Sequence, residues 1–225
     1  MTQLVIGEPR VNGNRYETPV GDSVLWYEFG QDLPPVSGAG PAAVGLMPWA
    51  LANVDRIHLV GAVDRRLVAN LEEYGDYWSM WLPKLFSPVE ISADELLDVQ
   101  PGPNTAVAAF SGGVDGTYQL IANQEERLGA RSLPIAAAVL VHGFDIPIED
   151  TAGFGRAVQA ARPICEQFRV ELLTVRTNWR QFSPDWEMSF AAGVTSALHH
   201  YADFAGTGLL APDEQYNVTP VPRTS

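Results

Sequence analysis

The chain of 225 residues is 46% hydrophobic and 18% charged, so it can bury a substantial core and is not disordered overall. Its 27 acidic residues outnumber 14 basic ones, and the net charge of -13 repels a phosphate backbone, which disfavours nucleic acid as a partner. The single cysteine, Cys165, excludes an internal disulfide and any CxxC metal or redox pair.

Targeting and membrane signals are not evident in the sequence. Residues 1–10 lack the basic-then-apolar pattern of a secretory signal, and no apolar run reaches the length of about 20 residues that a spanning helix needs. We therefore expect a soluble protein with a cytoplasmic location and no membrane contact.

The first hundred residues predict a small mixed α+β module. Short β-branched and aromatic runs are separated by Gly, Asn and Pro, and an Ala-rich apolar segment follows Pro41. Asp64 has the chemistry and position of a helix N-cap. The predicted strands are residues 4–6, 24–29, 56–61 and 89–92, and the predicted first helix is residues 41–53.

The helix that follows Asp64 carries a stripe of large side chains, with Tyr77 beside it. The stripe recurs at spacings of four, three, four and three residues and consists of Leu67, Leu71, Tyr74, Trp78 and Trp81. Such spacing places its members on one helical face. We interpret the stripe as core; the alternative is a partner surface or a wall of a substrate pocket.

From Thr105 onward, apolar runs alternate with amphipathic segments, which is typical of a parallel sheet covered by helices. Asp185 is the expected N-cap of the last helix. The predicted strands are residues 106–110, 135–142 and 170–175, with helices at residues 116–128, 151–168 and 185–201. Only residues 209–211 could begin a fourth strand, and residues 212–225 read as an irregular tail.

The clearest chemical signature lies where the first of these strands meets its helix. Paired glycines allow a tight turn, and the amides at a helix N-terminus favour an anion such as phosphate. Hydroxyl groups and one carboxylate, which can hold Mg²⁺, accompany them. The segment consists of Phe110, Ser111, Gly112, Gly113, Val114, Asp115, Gly116 and Thr117.

The Ser-Gly-Gly-x-Asp pattern in this strand-turn-helix context resembles the SGGxD(S/T) loop of PP-loop ATP pyrophosphatases, the adenine nucleotide alpha hydrolase-like proteins. They include asparagine-synthetase-like and thiolating enzymes. The resemblance covers residues 105–201 and implies a Rossmann-like (HUP-type) parallel sheet with flanking helices that binds ATP and Mg²⁺. In that family the loop cradles the pyrophosphate of ATP while a substrate oxygen attacks the α-phosphate.

The resemblance assigns roles to individual residues. Ser111 and Asp115 are the catalytic candidates, and Asp115 is the candidate metal ligand. The remaining nucleotide contacts would come from the loop and from the exits of the second and third strands, which face the same crevice. These contacts are Phe110, Gly112, Gly113, Val114, Gly116 and Thr117 in the loop, Val141, His142 and Gly143 after the second strand, and Asn178 and Arg180 after the third.

Two departures from the family pattern bear on activity. The closing Ser or Thr of the motif is Gly116 here, so one hydroxyl is missing unless Thr117 replaces it. The predicted strands supply only one side of the ligand crevice, and a free edge on the first strand would invite aggregation. We expect the N-terminal module, a second copy of the chain or a partner subunit to complete the sheet.

Other clusters have two interpretations each. His142 and Asp145 are an acid/base pair, or the histidine satisfies a backbone group. His199, His200 and Asp203 suggest a metal clip, but a solvated helix end is the better interpretation because no third well-placed ligand is evident. Cys165 is expected to be buried and inert.

These observations predict an N-terminal α+β module at residues 1–100, a PP-loop nucleotide-binding α/β domain at residues 101–211 and the irregular tail. The leading functional hypothesis is an AMP-forming enzyme, of ligase or amide- or sulfur-transfer type, that adenylates a small-molecule substrate and releases pyrophosphate. The second is a degenerate relative that binds nucleotide without turnover. The third is a structural or partner subunit with an empty loop.

Overall fold

The computed structural model describes residues 2–32, 34, 38–100, 102–183 and 185–211. Within these ranges the chain forms ten strands and five α-helices. The strands are β1 (Gln3–Ile6), β2 (Arg10–Asn12), β3 (Arg15–Val20), β4 (Ser23–Phe29), β5 (Arg56–Asp64), β6 (Glu90–Leu97), β7 (Ala106–Ala109), β8 (Ile135–His142), β9 (Glu171–Thr177) and β10 (Thr207–Leu209). The helices are α1 (Gly40–Asn53), α2 (Arg65–Trp81), α3 (Val114–Gln124), α4 (Thr151–Gln167) and α5 (Trp186–His199). The predicted tail at residues 212–225 lies outside the described residues.

All ten strands belong to one mixed sheet. Its order is β10-β7-β8-β9-β4-β3-β1-β5-β6, and β2 pairs with β3 beside this path. The strands β10, β7, β8 and β9 are parallel to one another, whereas β4 is antiparallel to β9 and to β3. The α/β prediction is confirmed, but the sheet as a whole is mixed: β7 to β10 form one parallel group and β1, β5 and β6 another, and the antiparallel strands β3 and β4 lie between them.

The free edge of β7 was expected to be covered by the N-terminal module, a second copy of the chain or a partner subunit. Strand β10 of the same chain covers it instead. Residues Thr207, Gly208 and Leu209 pair in parallel with Ala106, Val107 and Ala108, so β10 covers the edge of β7 within the same chain. The N-terminal strands do not reach that edge. They join the sheet at β9, where Tyr27 of β4 lies opposite Thr177.

Helices cover the two faces of the sheet unequally. Helices α1, α2 and α5 cover one face over a large apolar core, whereas α3 and α4 cover β7, β8 and β9 on the other face. The second face stays open over β4 and β3, where Arg15, Trp26 and Glu28 are only partly buried. No helix in the described ranges is both long and apolar enough to cross a membrane.

The buried indole of Trp179 connects the C-terminal half of the chain to α1 in the N-terminal half. Its Nε1 donates a 2.8 Å hydrogen bond to the carbonyl of Gly45 in α1. A Cβ atom at Gly45 would lie 2.9 Å from the same nitrogen, so only glycine permits this approach. Trp179 is fully buried, and residues from both halves of the chain pack around it. One hydrogen bond therefore fixes α1 to the segment that follows β9.

Local cap signals are confirmed at two helices. Asp64 accepts a 3.0 Å hydrogen bond from the amide of Arg66, and Asp185 accepts a 3.2 Å bond from the amide of Met188. Helix α3 begins at Val114, two residues before the predicted start, and ends at Gln124, four residues before the predicted end. Strand β8 has the predicted bounds.

The aromatic stripe on α2 is core along only part of its length. Leu71 is buried, and Tyr74 and Trp78 pack against the core from its margin, but Trp81 and the neighbouring Tyr77 are exposed. The buried line of the helix runs instead through Val68, Leu71, Gly75 and Ser79. The core interpretation is therefore wrong at Trp81, because this position lies off the buried line of the helix.

Candidate functional site

Residues 110–113 connect β7 to α3. Phe110 is buried and anchors the turn in the core beneath α3 and α4. Gly112 has φ +83°, a left-handed conformation that side chains disfavour, so the paired glycines have a steric reason at this position. Ser111 and Gly113 are exposed beyond the strand end.

The N-terminus of α3 has no side-chain cap. Gly113 is the N-cap residue, and no side chain of the described chain accepts a hydrogen bond there. The first helical bond is donated by the amide of Thr117 to the carbonyl of Gly113 at 3.0 Å, so the amides of Val114, Asp115 and Gly116 precede it. Such unpaired amides, together with the positive end of the helix dipole, favour an anion.

The same loop lies where the strand order reverses. From β7 the chain proceeds to β8 and β9 on one side, and then returns through α5 to β10 on the other side. Helix α3 packs with the α4 layer, whereas α5 packs with α1 on the opposite face. The carboxyl ends of β7 and β10 therefore mark the topological position at which open α/β sheets bind ligands.

Steric contacts explain the departure at Gly116. A Cβ atom there would lie 3.1 Å from Cδ2 of Phe110 and 3.9 Å from the carbonyl oxygen of Ala109. A serine or threonine side chain would therefore crowd the strand. The hydroxyl of Thr117 does not replace it as a free donor, because it donates a 2.8 Å hydrogen bond to the carbonyl of Gly113.

Asp115 lies exposed in the first turn of α3, next to the uncapped amides. Its carboxylate has no hydrogen bond or ion pair within the part of the chain that the structure describes. The same part contains no group of three or more His, Cys, Asp and Glu side chains arranged to hold a metal ion. A cation held by Asp115 would therefore take further oxygen ligands from phosphate or water.

Side chains at the exit of β8 make internal contacts. The ring of His142 stacks on Phe154 with centroids 4.4 Å apart, and its Nε2 donates a 2.9 Å hydrogen bond to the carbonyl of Pro147. No hydrogen bond joins His142 to Asp145 among the described residues, so the histidine satisfies a backbone group instead of forming that pair. Gly143 has φ +104°.

Close packing explains the glycine at the end of β8. A Cβ atom at Gly143 would lie well inside van der Waals contact of the carbonyl oxygen of Thr177. The exits of β8 and β9 therefore approach each other more closely than any other residue would allow. Val141, two residues before Gly143, packs against the larger core.

The side chains that follow β9 also make contacts within the protein. Asn178 is buried; its Oδ1 accepts a 2.9 Å hydrogen bond from the amide of Trp26, and its Nδ2 donates a 2.9 Å bond to the carbonyl of Val24. The guanidinium of Arg180 lies over the ring of Trp186 at 4.9 Å from the centroid. Asn178 thus joins β9 to β4, and Arg180 retains a partly exposed charge.

A cavity that the sequence did not predict lies between β4, β9 and α4. It has a volume of about 210 Å³, and Glu28, His142, Phe154 and Arg176 contribute to its wall. Arg176 donates a 3.3 Å hydrogen bond to the carbonyl of Ile148, and its Nε is buried without a partner among the described atoms. Glu28, Arg176 and His142 come from three separate segments, so no local pattern could have indicated that they lie together.

The remaining clusters are structural. The ring of His200 is buried, and burial lowers the pKa values of both His200 and His199. His199, His200 and Asp203 do not form a metal-binding group among the described residues. Cys165 is buried, as expected, and burial raises the pKa of its thiol to about 11, so the thiolate needed for reactivity is scarce at neutral pH.

No protein-family model, curated protein or solved structure matches this chain. The loop after β7, through its geometry and the chemistry of its residues, is the feature of the chain that indicates a function.

Proposed function

We propose that the protein binds ATP with Mg²⁺ through residues 111–117. The observation that carries the proposal is the uncapped N-terminus of α3, which follows β7 at the reversal of the strand order. A row of unpaired amides in this position attracts phosphate oxygens, and the glycine backbone at Gly112 and Gly113 allows close approach.

The residues of the loop fit a polyphosphate better than a neutral ligand. Ser111 adds an exposed hydroxyl, and the exposed carboxylate of Asp115 requires a bridging cation to tolerate phosphate beside it. Mg²⁺ would supply the positive charge that neutralises the phosphates. In this proposal Ser111 and the amides of residues 113–116 hold the pyrophosphate end, and Asp115 holds the metal.

The reaction follows from the resemblance to PP-loop ATP pyrophosphatases of Rossmann-like type. An oxygen of a small-molecule substrate would attack the α-phosphate, the bond between the α-phosphate and its bridging oxygen would break, and pyrophosphate would leave. The nucleoside would lie over the exits of β8 and β9. Because the side chains of His142 and Asn178 are engaged, backbone atoms of Val141 and Gly143 and the guanidinium of Arg180 would serve it.

A second candidate function is nucleotide binding without turnover. It is favoured by the absence of a side chain at Gly116 and by the internal hydrogen bond of the Thr117 hydroxyl. Both features reduce the number of hydrogen-bond donors that could stabilise the negative charge on a leaving pyrophosphate.

The test for binding introduces a cap into the loop. In Gly113→Asp the new carboxylate accepts hydrogen bonds from the amides of α3 and repels phosphate, so the variant should be more stable by about 1 kcal/mol. We expect calorimetric titration with ATP and Mg²⁺ to show binding that weakens at least tenfold. The control Tyr118→Asp adds the same charge to an exposed position of α3 and should retain most of the affinity. Equal affinity of wild type and Gly113→Asp would refute the proposal.

A second assay separates turnover from binding. Incubation with ATP, Mg²⁺ and a panel of small carboxylates should release pyrophosphate and form an adenylate, from which hydrolysis by water releases AMP, and Asp115→Ala should abolish the formation of both products. Binding without either product would favour the second candidate. An unchanged melting temperature with millimolar ATP or AMP would indicate a structural subunit with an empty loop.

A further inference from the structure

The solvent face of α2 exposes large apolar side chains in one place. Tyr77 is 49% exposed, Trp81 60% and Met80 64%, although the helix buries its opposite face against the core. Leu85, shortly after the helix, is also exposed. We call Tyr77, Met80, Trp81 and Leu85 the α2 patch. Contiguous exposed apolar surface of this kind marks an interaction site more often than scattered single residues do.

The rings of the α2 patch are held in place from below. The centroids of Tyr77 and Trp81 are 5.9 Å apart, and Trp78 lies 5.8 Å from Trp81 in an edge-to-face contact. Trp78 itself meets Phe86 edge-to-face at 5.8 Å. A ring supported in this way loses little conformational freedom on binding, and aromatic anchors of low entropy are the usual centres of protein interfaces.

Carboxylates continue the same face toward the start of α2. Residues 72, 76 and 80 form one line along the helix, and residues 73, 77 and 81 form the next, because positions four apart are neighbours. Glu72, Glu73 and Asp76 are exposed, and none of them has an ion pair with another described residue. Each line therefore passes from carboxylate to large apolar side chain.

A groove beside these carboxylates widens the acidic surface. It has a volume of about 420 Å³ between α2 and the start of β6, and Glu72, Asp76 and Glu90 contribute to its wall. Glu90 is paired with Arg56 at 2.9 Å, so the uncompensated charge comes from α2. The groove and the α2 patch together span about 14 Å along the helix from residue 72 to residue 81.

We propose that the α2 patch and its acidic groove dock a basic, amphipathic polypeptide segment of another protein. Lysine or arginine side chains of the partner would lie against Glu72 and Asp76, and apolar side chains would cover Tyr77 and Trp81. An arginine over either ring would add a cation–π contact. The length of the surface matches two to three turns of a helix, at about 5.4 Å per turn.

The net charge of the protein favours a basic polypeptide over a second copy of the chain, nucleic acid or an anionic lipid surface. A second copy of the chain carries the same net charge of -13 and only 14 basic residues against 27 acidic ones, so self-association would oppose like charges. Nucleic acid and anionic lipid surfaces are repelled for the same reason. A cationic segment is attracted by the net negative charge of the protein, and its apolar side chains can pack on the α2 patch.

The test uses a synthetic helical peptide of arginine and leucine, with a glutamate and leucine peptide as the control ligand. Titration calorimetry and tryptophan fluorescence at low salt should show binding of the basic peptide only. We expect Trp81→Ala and the double variant Glu72→Gln/Asp76→Gln each to weaken binding about tenfold.

Matched variants separate docking from general attraction to an acidic protein. Phe204→Ala truncates another exposed ring, and Glu149→Gln/Glu166→Gln removes the same charge from a position just before α4 and a position within it; both variants should stay within about twofold of wild type. Every substituted side chain is exposed, so circular dichroism melting should be unchanged. Equal loss in the control variants would overturn the proposal. A dimer in sedimentation that Trp81→Ala dissociates would also overturn it, in favour of a second copy.

Discussion

Burial of His200 should make the protein sensitive to acid. The imidazole follows α5 and lies among Tyr16, Tyr27 and Phe29, with ring centroids 4.6 Å to 5.7 Å away. Both ring nitrogens are shielded from solvent, and neither has a hydrogen-bond partner among the described atoms. Burial, with a smaller contribution from the charge of His199, lowers the pKa of His200 from its ordinary 6.5 to about 3.

The sign and size of the effect follow from proton linkage. A histidine whose pKa is lower in the folded state favours folding fully above pH 6.5, and this stability is lost as the pH falls toward 3 because the unfolded chain binds the proton first. At pH 5 the unfolded chain gains about 2 kcal/mol relative to pH 8, at about 1.4 kcal/mol per pH unit. His200→Phe removes this term. It also removes a buried imidazole without hydrogen bonds, so the variant should gain about 1 kcal/mol at pH 8.

The assay is urea unfolding of wild type and His200→Phe at pH 8 and at pH 5. We expect the wild type to lose about 2 kcal/mol more than the variant between the two pH values. Comparing the two proteins cancels the contributions of carboxylates and of other histidines, which both chains share. If wild type and variant lost the same stability, then the imidazole of His200 would be protonated in the folded protein or exposed to water, and the reasoning would be wrong.

Further substitutions test how the strand exits and helix contacts are built, each by urea unfolding. Gly143→Ala should cost about 3 kcal/mol because its Cβ would collide with the carbonyl of the last residue of β9, whereas Gly155→Ala in α4, with open space around it, should be neutral or stabilising. Trp179→Phe should cost about 3 kcal/mol because it leaves the Gly45 carbonyl without its donor and opens a gap in the core. Asp64→Ala should cost about 1 kcal/mol through loss of the α2 cap.

Features with a local physical cause were predictable from the sequence. Asp64 and Asp185 cap helices because a short carboxylate before an amphipathic run reaches the first free amides. The apolar run of β8 is continuous because the strand is buried on both faces between β7 and β9. The turn at Gly112 follows from its need for positive φ.

The hairpins formed by β2, β3 and β4 carried a local signal that the sequence interpretation missed. Two-residue loops at Gly13-Asn14 and Gly21-Asp22 join these strands, and both glycines have positive φ. Strand β3 alternates partly exposed and buried positions, as expected for a sheet with one open face, but the buried Thr18 is polar and Pro19 is unusual within a strand. Strand β2 is exposed at all three positions, so burial imposes no apolar pattern on it.

Long-range pairing could not be predicted from one sequence. The union of β4 with β9 joins residues about 150 positions apart, and Asn178 is recruited to it through Val24 and Trp26. Nothing near Asn178 indicates that its amide is needed by the fold rather than by a ligand. The same holds for His142, whose partner Pro147 lies in an irregular loop.

The internal hydrogen bonds of His142 and Asn178 limit which ligand groups the candidate site can contact. With the side chains of His142 and Asn178 committed to the fold, the polar groups that remain at the carboxyl edge are the amides of α3, Ser111, Asp115 and the guanidinium of Arg180. All of these groups have the chemistry to contact phosphate or its metal. If the loop binds nucleotide, pyrophosphate should therefore compete with ATP at comparable concentration, and adenosine should compete poorly. Tight binding of adenosine alone would show that the nucleoside has contacts outside this loop and that the phosphate-centred account is wrong.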